Sequence, residues 1–124
     1  SSTGSSNYLV RIGNATFTTS GYSSVMNYVN PGANSCTGDY DTSGFRLTKD
    51  IGASTSFTAT FTLVLHYNYV YTSSFIGLGG VSGAGFFGSG YLSLGSVLDR
   101  IRVTTVNGTD TFDAGTINSI TLTY

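Results

Sequence analysis

The chain has 124 residues, of which only 9 % are charged and 40 % are hydrophobic, and its formal net charge at pH 7 is −1. This length is typical of one domain, and so few scattered charges argue against a nucleic-acid partner, because phosphate binding needs clustered Lys and Arg. Apolar runs stay well below the roughly 18 residues that a membrane span requires. The single Cys excludes an intramolecular disulfide.

Residue types indicate an all-β protein. The chain has 17 Gly, 9 Tyr and 8 Phe, together with abundant Ser and Thr, whereas strong helix formers are scarce. Residues 1–7 are polar and contain Gly, so we expect them to be a linker or leader. Residues 8–124 are expected to form one domain.

Short strand-like runs recur along the whole chain, and turn-forming Gly, Asn, Pro and Asp separate them. The predicted strands cover residues 8–12, 15–19, 22–29, 45–48, 56–71, 75–78, 85–87, 91–94, 97–106, 109–112 and 117–124. Many short strands at this spacing predict an antiparallel β-sandwich with a jelly-roll-like arrangement.

The first long polar segment, residues 31–41, is predicted to be a loop because Gly, Ser, Asn and Asp dominate it. Cys36 is interpreted as a small loop residue, since no His or cation lies beside it in the sequence. Asp39 and Asp41 are expected to form turns or, alternatively, to bind Ca²⁺, although the spacing of an EF-hand loop is absent. Tyr40, between these aspartates, is expected to be exposed.

The clearest periodicity lies in residues 57–71, where every odd position is apolar or aromatic. A period of two predicts a β-strand with one face in a core, so residues 56–71 are predicted to form one long strand. Its odd face ends in Tyr67, Tyr69 and Tyr71. These rings suit the edge of a core or a contact with a neighbouring molecule.

His66, the only histidine, and Asn68 fall on the opposite, mostly polar face of this strand. A catalytic triad or a metal site would need partners, and the sequence offers no second His and no Glu. His66 is therefore interpreted as a surface or interface residue, and we expect neither enzymatic activity nor a cofactor.

The segment 77–90 is rich in Gly and is predicted to be a wide loop or a tight crossing of two strands, with Phe86 and Phe87 as packing anchors. A phosphate-binding loop is the alternative, but the Lys-containing pattern of such loops is absent. Nucleotide binding is therefore not expected.

Asn107 and Gly108 predict a two-residue hairpin turn between strands 97–106 and 109–112. Alternation places Ile101 and Val103 on the face opposite Arg100 and Arg102. The two arginines form either an anion clamp or, by the preferred interpretation, a solvated or interface face. In the last strand, Ile120, Leu122 and Tyr124 are expected to face inward.

The C-terminal quarter carries a resemblance to a known class of proteins. Residues 99–105, Asp-Arg-Ile-Arg-Val-Thr-Thr, and 110–115, Asp-Thr-Phe-Asp-Ala-Gly, are similar to the ends of tail-fibre and related receptor-binding proteins of tailed bacteriophages and prophages. The resemblance implies a β-structured, homotrimeric fibre tip on the virion, outside the cell, which binds bacterial surface sugars or outer-membrane proteins and carries no cofactor. It transfers no individual receptor-binding position.

Together these observations predict a non-catalytic host-cell attachment domain that binds a surface glycan or an outer-membrane protein without entering the membrane. Aromatic and polar side chains near turns supply the candidate receptor-binding residues. These are Asp39, Tyr40, Asp41, His66, Asn68 and Tyr91. The alternatives are a monomeric carbohydrate-binding module or lectin-like domain of a secreted bacterial protein, and a structural virion protein without a ligand.

Overall fold

The computed structural model describes residues 2–80, 83–112 and 121–123. This part of the chain consists mainly of β-strands. In chain order the strands are β1 Tyr8–Asn14, β2 Thr16–Phe17, β3 Ser23–Asn30, β4 Ser35–Asp41, β5 Phe45–Arg46, β6 Phe57–His66, β7 Val70–Gly79, β8 Ala84–Ser93, β9 Arg100–Thr105 and β10 Thr121–Thr123. A short 3₁₀ turn, Tyr67–Tyr69, joins β6 to β7. In this part of the chain, no helix is long and apolar enough to cross a membrane.

The strands form two sheets. The small sheet has the order β2-β1-β5, with β9 also paired to β1, and the large sheet has the order β10-β6-β7-β8-β3-β4. The pairings are antiparallel except that of β10 with β6, which is parallel. The chain passes repeatedly between the sheets, as in a jelly roll, but keeps β6, β7 and β8 as a meander. The predicted all-β sandwich is confirmed.

The core lies between the two sheets and is closed by aromatic side chains. Tyr22 is 2 % exposed, and its ring meets that of Phe45 edge to face at 4.9 Å between centroids. Its hydroxyl accepts a hydrogen bond from the backbone N–H of Ile12 at 2.9 Å. Burial raises the pKa of Tyr22 above its ordinary value, so the hydroxyl keeps its proton and remains a donor.

The predicted long strand 56–71 is wrong, because the chain reverses within it. β6 and β7 pair from Phe57 opposite Gly79 to His66 opposite Val70. Alternation continues through the turn, and the turn contains neither Gly nor Pro, so periodicity could not locate it. The three tyrosines of the odd face consequently separate: Tyr71 is 3 % exposed in the core, whereas Tyr67 and Tyr69 lie on the exposed turn.

The predicted loop 31–41 is also wrong over most of its length. β4 pairs with β3 over its whole length and forms one edge of the large sheet. Its Gly, Ser and Asp residues have low strand propensity, but pairing with β3 satisfies one side of the backbone and overrides that propensity. Cys36 is therefore an exposed strand residue rather than a loop residue.

The Gly-rich segment forms the β7–β8 hairpin rather than a wide loop. Glycines in these strands leave room for aromatic rings on neighbouring strands: a Cβ on Gly79 would lie 2.9 Å from Cδ2 of Phe57. Phe86 is a packing anchor as expected, being 2 % exposed, but Phe87 is 44 % exposed on the opposite side of the sheet. Glycine here marks close packing within a sheet.

The turn at Asn107 and Gly108 exists, but it does not make the predicted hairpin. The N–H of Gly108 donates to the carbonyl of Thr105 at 3.1 Å, which closes the turn. The chain then leaves β9, and Phe112 pairs instead with Ser2, a buried residue of the expected leader. β9 pairs with β1, a contact distant in the sequence that local turn chemistry could not indicate.

Ile101 and Val103 pack against the core, as alternation predicts. The last strand is present at Thr121–Thr123, where it runs parallel to β6. The expected inward positions Ile120 and Tyr124 and the side chain of Leu122 lie outside the described residues.

Candidate functional site

The side of the large sheet that points away from the small sheet is named the outer face. Alternation along five strands defines its members. They are Ser23, Val25, Asn27 and Val29 of β3, Cys36, Gly38 and Tyr40 of β4, Thr58, Thr60, Thr62, Val64 and His66 of β6, Val70, Thr72, Ser74, Ile76 and Leu78 of β7, and Gly85, Phe87, Ser89, Tyr91 and Ser93 of β8. On these five strands, the outer face carries no Asp, Lys or Arg.

The centre of the outer face is apolar, and the term apolar patch is used for Val25, Val29, Ile76, Leu78 and Phe87. Ile76 is 70 % exposed, Leu78 63 % and Val25 55 %. Ile76 lies directly opposite Phe87 across the β7–β8 pair. A shallow depression of about 540 Å³ lies in the patch, and Asn27 and Ser89 contribute polar groups to its lining.

One end of the outer face meets the β6–β7 turn and forms a second feature, named the tip cluster: His66, Tyr67, Asn68, Tyr69 and Tyr91. Tyr67 is 86 % exposed, Tyr69 44 % and Tyr91 46 %. Nε2 of His66 lies 2.8 Å from the hydroxyl of Thr72, which is the cross-strand neighbour of Tyr91. The tip cluster therefore combines exposed rings with an imidazole and an amide, and none of its members is an acid, Lys or Arg.

The backbone of the tip cluster is held in an uncommon conformation. Asn68 and Tyr69 both have a φ of 58°, in the left-handed region. Asn tolerates this region, whereas a bulky residue such as Tyr is disfavoured there by about 1–2 kcal/mol. The carbonyl of Tyr69 accepts a hydrogen bond from the N–H of Leu94 at 3.1 Å, which fixes the turn against the end of β8. Strained backbone of this kind concentrates at functional sites.

Three of the candidate residues predicted from the sequence, His66, Asn68 and Tyr91, lie at the same end of the large sheet and belong to the tip cluster. Tyr40 also lies on the outer face, where it is 69 % exposed, as expected. It stands on the edge strand β4 opposite Val25, beside the apolar patch and away from the tip cluster. The structure therefore does not gather the six candidates at one point.

Asp39 and Asp41 point to the other side of β4, toward the small sheet. Arg46 of β5 contacts both, with Nη2 2.9 Å from Oδ2 of Asp39 and Nη1 3.0 Å from Oδ2 of Asp41. Lys49 adds a weaker contact to Asp39 at 3.7 Å. Burial alone would raise the pKa of Asp41, but hydrogen bonds from Ser43 and Arg46 hold it below its ordinary value. This group, named the Arg46 cluster, links the two sheets.

Asp39 has one further contact. Its Oδ1 accepts a hydrogen bond from the backbone N–H of Tyr40 at 2.9 Å. The Asp39 carboxylate thus binds both the Arg46 guanidinium and the backbone of its own strand, so its role is structural.

Arg100 and Arg102 do not form a free anion clamp. Arg100 binds its neighbour Asp99, with Nε 2.6 Å from Oδ1, and the guanidinium of Arg102 lies 4.3 Å from the centroid of the Phe17 ring. Hydrogen bonds from Arg100 and Ala15 lower the pKa of Asp99. The preferred interpretation of a solvated face agrees with this arrangement.

The described residues contain no group of three or more His, Cys, Asp or Glu that could hold a metal ion. The side-chain partner of His66 is the hydroxyl of Thr72. What the outer face offers is a broad, neutral surface of rings, amides and hydroxyls, which suits recognition.

Two parts of this surface were not predicted from the sequence. Alternation put Tyr67 on the core side of a continuous strand, although Asn68 was a signal for a turn because Asn favours left-handed backbone. Ile76 and Leu78 were assigned to neither face, since a strand of a few residues does not show which of its faces is covered.

No family model matches the sequence, and no match was found among curated proteins or solved structures.

Proposed function

We propose that this chain is a non-catalytic attachment domain of the phage tail-fibre kind, which binds a bacterial surface glycan through the tip cluster. The observation that carries the proposal is the nearly free ring of Tyr67, 86 % exposed at the end of a hairpin with left-handed backbone. An exposed aromatic ring on a strained turn has an energetic cost, and binding a ligand is a reason to retain it.

The chemistry of the tip cluster suits a neutral sugar. Tyr rings present an apolar face that packs against the C–H face of a pyranose, while their hydroxyls form hydrogen bonds at the rim. The amide of Asn68 both donates and accepts hydrogen bonds, as sugar hydroxyls do. None of the five members is an Arg or a Lys, so the cluster has no permanently cationic side chain to pair with a carboxylate or phosphate.

The test is binding of the labelled protein to an array of bacterial surface polysaccharides and to intact cells. We expect Tyr67→Ala to weaken binding at least about tenfold, the scale of a residue that dominates an interface. Val97→Ala is the matched control, because Val97 is 61 % exposed and lies outside the tip cluster. Equal binding by wild type and Tyr67→Ala would overturn the proposal, as would an absence of binding to every glycan and cell tested.

A carbohydrate-binding module of a secreted bacterial protein is the second candidate, and the exposure of both Tyr40 and Tyr91 on one sheet face favours it. Such a module would bind soluble polysaccharide as a monomer. The homotrimer implied by the resemblance to fibre tips stays a prediction, and the mass of the protein in solution separates the two candidates.

A further inference from the structure

The side of the small sheet that points away from the core carries three of the five Lys and Arg residues of the chain. β1 and β9 direct their apolar side chains to the core, so alternation places the side chains between them on the opposite side. Arg11 of β1, Arg100 and Arg102 of β9 and Phe17 of β2 lie there, and these four residues are named the arginine face. The pairing of β1 with β9 brings Arg11 to the two arginines of β9, which the sequence alone did not indicate.

Arg11 and Arg102 lie directly opposite each other in the antiparallel pair of β1 and β9. The Cβ atoms of such a pair are about 4.5–5.5 Å apart, and like charges in this position destabilise a sheet. In the described part of the chain, neither guanidinium contacts a carboxylate. Asp99, which borders the face, is already bound to Arg100. The two opposed charges therefore receive no counter-charge from these residues, and an anionic ligand would supply it.

Phe17 holds the guanidinium of Arg102 in place. Cζ of Arg102 lies over the Phe17 ring, 4.3 Å from its centroid. Gly13 of β1 pairs with Phe17 on one side and with Arg100 on the other, so the contact crosses β1 at a residue that has no side chain. A guanidinium that stacks on a ring does so with its flat face, and the N–H groups at its edge stay available for an anion.

Arg11 is fixed by a different contact. The residue is half-buried, and its Nε donates a hydrogen bond to the backbone carbonyl of Ser43 at 2.8 Å. This bond uses Nε and leaves the two terminal NH₂ groups of the guanidinium for a ligand. Asp41 adjoins Ser43, but its carboxylate is bound by Ser43 and Arg46. Because both arginines of the opposed pair are held before a ligand arrives, binding costs less side-chain entropy.

We infer that Arg11 and Arg102 together bind a phosphate group. A phosphate monoester carries a charge of about −1.5 to −2 at neutral pH, which matches two guanidinium groups. Each guanidinium can donate two parallel hydrogen bonds to phosphate oxygens, and a phosphate group has enough oxygens for both. A carboxylate has one charge and two oxygens, which a single guanidinium satisfies.

This site is separate from the tip cluster. The arginine face belongs to the small sheet, whereas the tip cluster lies at one end of the large sheet and has no Arg or Lys. The inference therefore goes beyond the proposed binding of a neutral glycan, and either can fail while the other holds.

The experiment is an NMR titration of the ¹⁵N-labelled protein with inorganic phosphate at constant ionic strength, following the backbone amide and arginine Nε signals. We expect saturable shifts on β1 and β9 with a Kd of about 1 mM, since solvent and salt screen an exposed site. Arg11→Gln and Arg102→Gln should each weaken binding at least about tenfold, the effect of losing a charged hydrogen-bond donor.

Lys49→Gln is the matched control. It removes the same charge from a side chain outside the arginine face, one that contacts Asp39 and Asp50, and it should bind phosphate like wild type. Circular dichroism and thermal melting show whether each variant is folded. Arg102→Lys, which keeps the charge but loses the paired donors, replaces a Gln variant that does not fold, and it should also bind more weakly.

Two further ligands define the source and the class of the anion. Glucose 1-phosphate that binds more tightly than inorganic phosphate supports a phosphorylated glycan as the source, and equal affinities support the phosphate ion itself. Acetate should bind more weakly than either, because it has a single charge.

The absence of a saturable shift up to about 50 mM phosphate would overturn the inference. Binding that the Arg variants leave unchanged, that Lys49→Gln weakens as much as they do, or that acetate equals would overturn it as well. Tyr67→Ala should keep phosphate binding, and Arg102→Gln should keep the binding of neutral glycan, which separates this test from that of the attachment function.

Discussion

Phe75 of β7 lies directly opposite Gly88 of β8, and its ring occupies the space that a side chain on Gly88 would need. A Cβ built on Gly88 would come within 2.6 Å of Cε1 of Phe75 and 2.9 Å of the Cα of Met26. Both neighbours belong to the core, so neither can move away cheaply. The glycine is thus part of the packing between β3, β7 and β8.

Gly88→Ala is expected to lower the free energy of unfolding by about 1–3 kcal/mol, the usual cost of overpacking a core. Gly85→Ala in the same strand is the control, because the nearest atom its Cβ would meet is the Cβ of Val29, at an ordinary contact distance of 4.0 Å. That variant should be neutral or slightly stabilising, since Ala restricts the unfolded chain more than Gly. Urea unfolding measures both, and equal effects of the two substitutions would contradict the packing argument.

Tyr22→Phe should cost about 1–3 kcal/mol, because it removes the hydroxyl that accepts from the buried N–H of Ile12 and leaves that group unsatisfied. Tyr40→Phe removes the same atom from a side chain that is 69 % exposed, and it should change stability little. Thermal and urea unfolding of the two variants give the comparison. A loss no larger for Tyr22→Phe than for Tyr40→Phe would show that the buried hydrogen bond contributes little.

The Arg46 cluster should make stability depend on pH in the acid range. The pKa of Asp41 is lower in the folded protein than in the unfolded chain, so its carboxylate stabilises the fold above about pH 4, and this contribution is lost as pH falls through the lower folded value. Asp41→Asn should reduce stability at pH 7 by roughly 1–3 kcal/mol and flatten the acid dependence.

Asp50→Asn is the control for this measurement. The Asp50 side chain is 70 % exposed, and its ion pair is a long one, 3.6 Å from Oδ2 to Nζ of Lys49. Urea unfolding at several pH values between neutral and strongly acidic conditions provides the data. If Asp41→Asn keeps the wild-type slope below pH 4, another group governs the acid dependence.

The turn of the tip cluster allows backbone strain and ligand binding to be measured separately. Asn68→Ala puts a residue that tolerates left-handed backbone less well than Asn at this position and should cost about 1 kcal/mol, whereas Asn68→Gly should keep or raise stability. Both variants lack the amide, so both should weaken glycan binding. A binding loss confined to Asn68→Ala would assign Asn68 a role in the turn alone.

The class of fold was predictable, because alternation along β6 and β9 and the scarcity of helix formers do not depend on which strands become neighbours. The pairing of strands was not predictable. The sequence near Asn107 favours a hairpin as far as local chemistry goes, yet β9 pairs with β1, some ninety residues away along the chain. Contacts at such separation follow from the packing of whole sheets.

The candidate site was predictable in part. Residue type alone indicated three members of the tip cluster, His66, Asn68 and Tyr91, since neutral polar and aromatic side chains near turns suit binding. Asp39 and Asp41 have the same polar character, but they turn inward to Arg46. The face of β4 on which these aspartates lie depends on the register of β4 with β3. Because the segment was interpreted as a loop, the direction of their side chains could not be predicted.

The hydrogen bond from the N–H of Tyr40 to Asp39 bears on aggregation through the edge of the large sheet. Among the described strands β4 is one edge of the large sheet, and an edge strand with free N–H groups can pair with a strand of another molecule and lead to aggregation. The Asp39 carboxylate accepts a hydrogen bond from one backbone N–H of this edge strand. An incoming strand that bonded to the N–H of Tyr40 would have to displace this carboxylate, so we expect Asp39 to disfavour edge-to-edge pairing at this position.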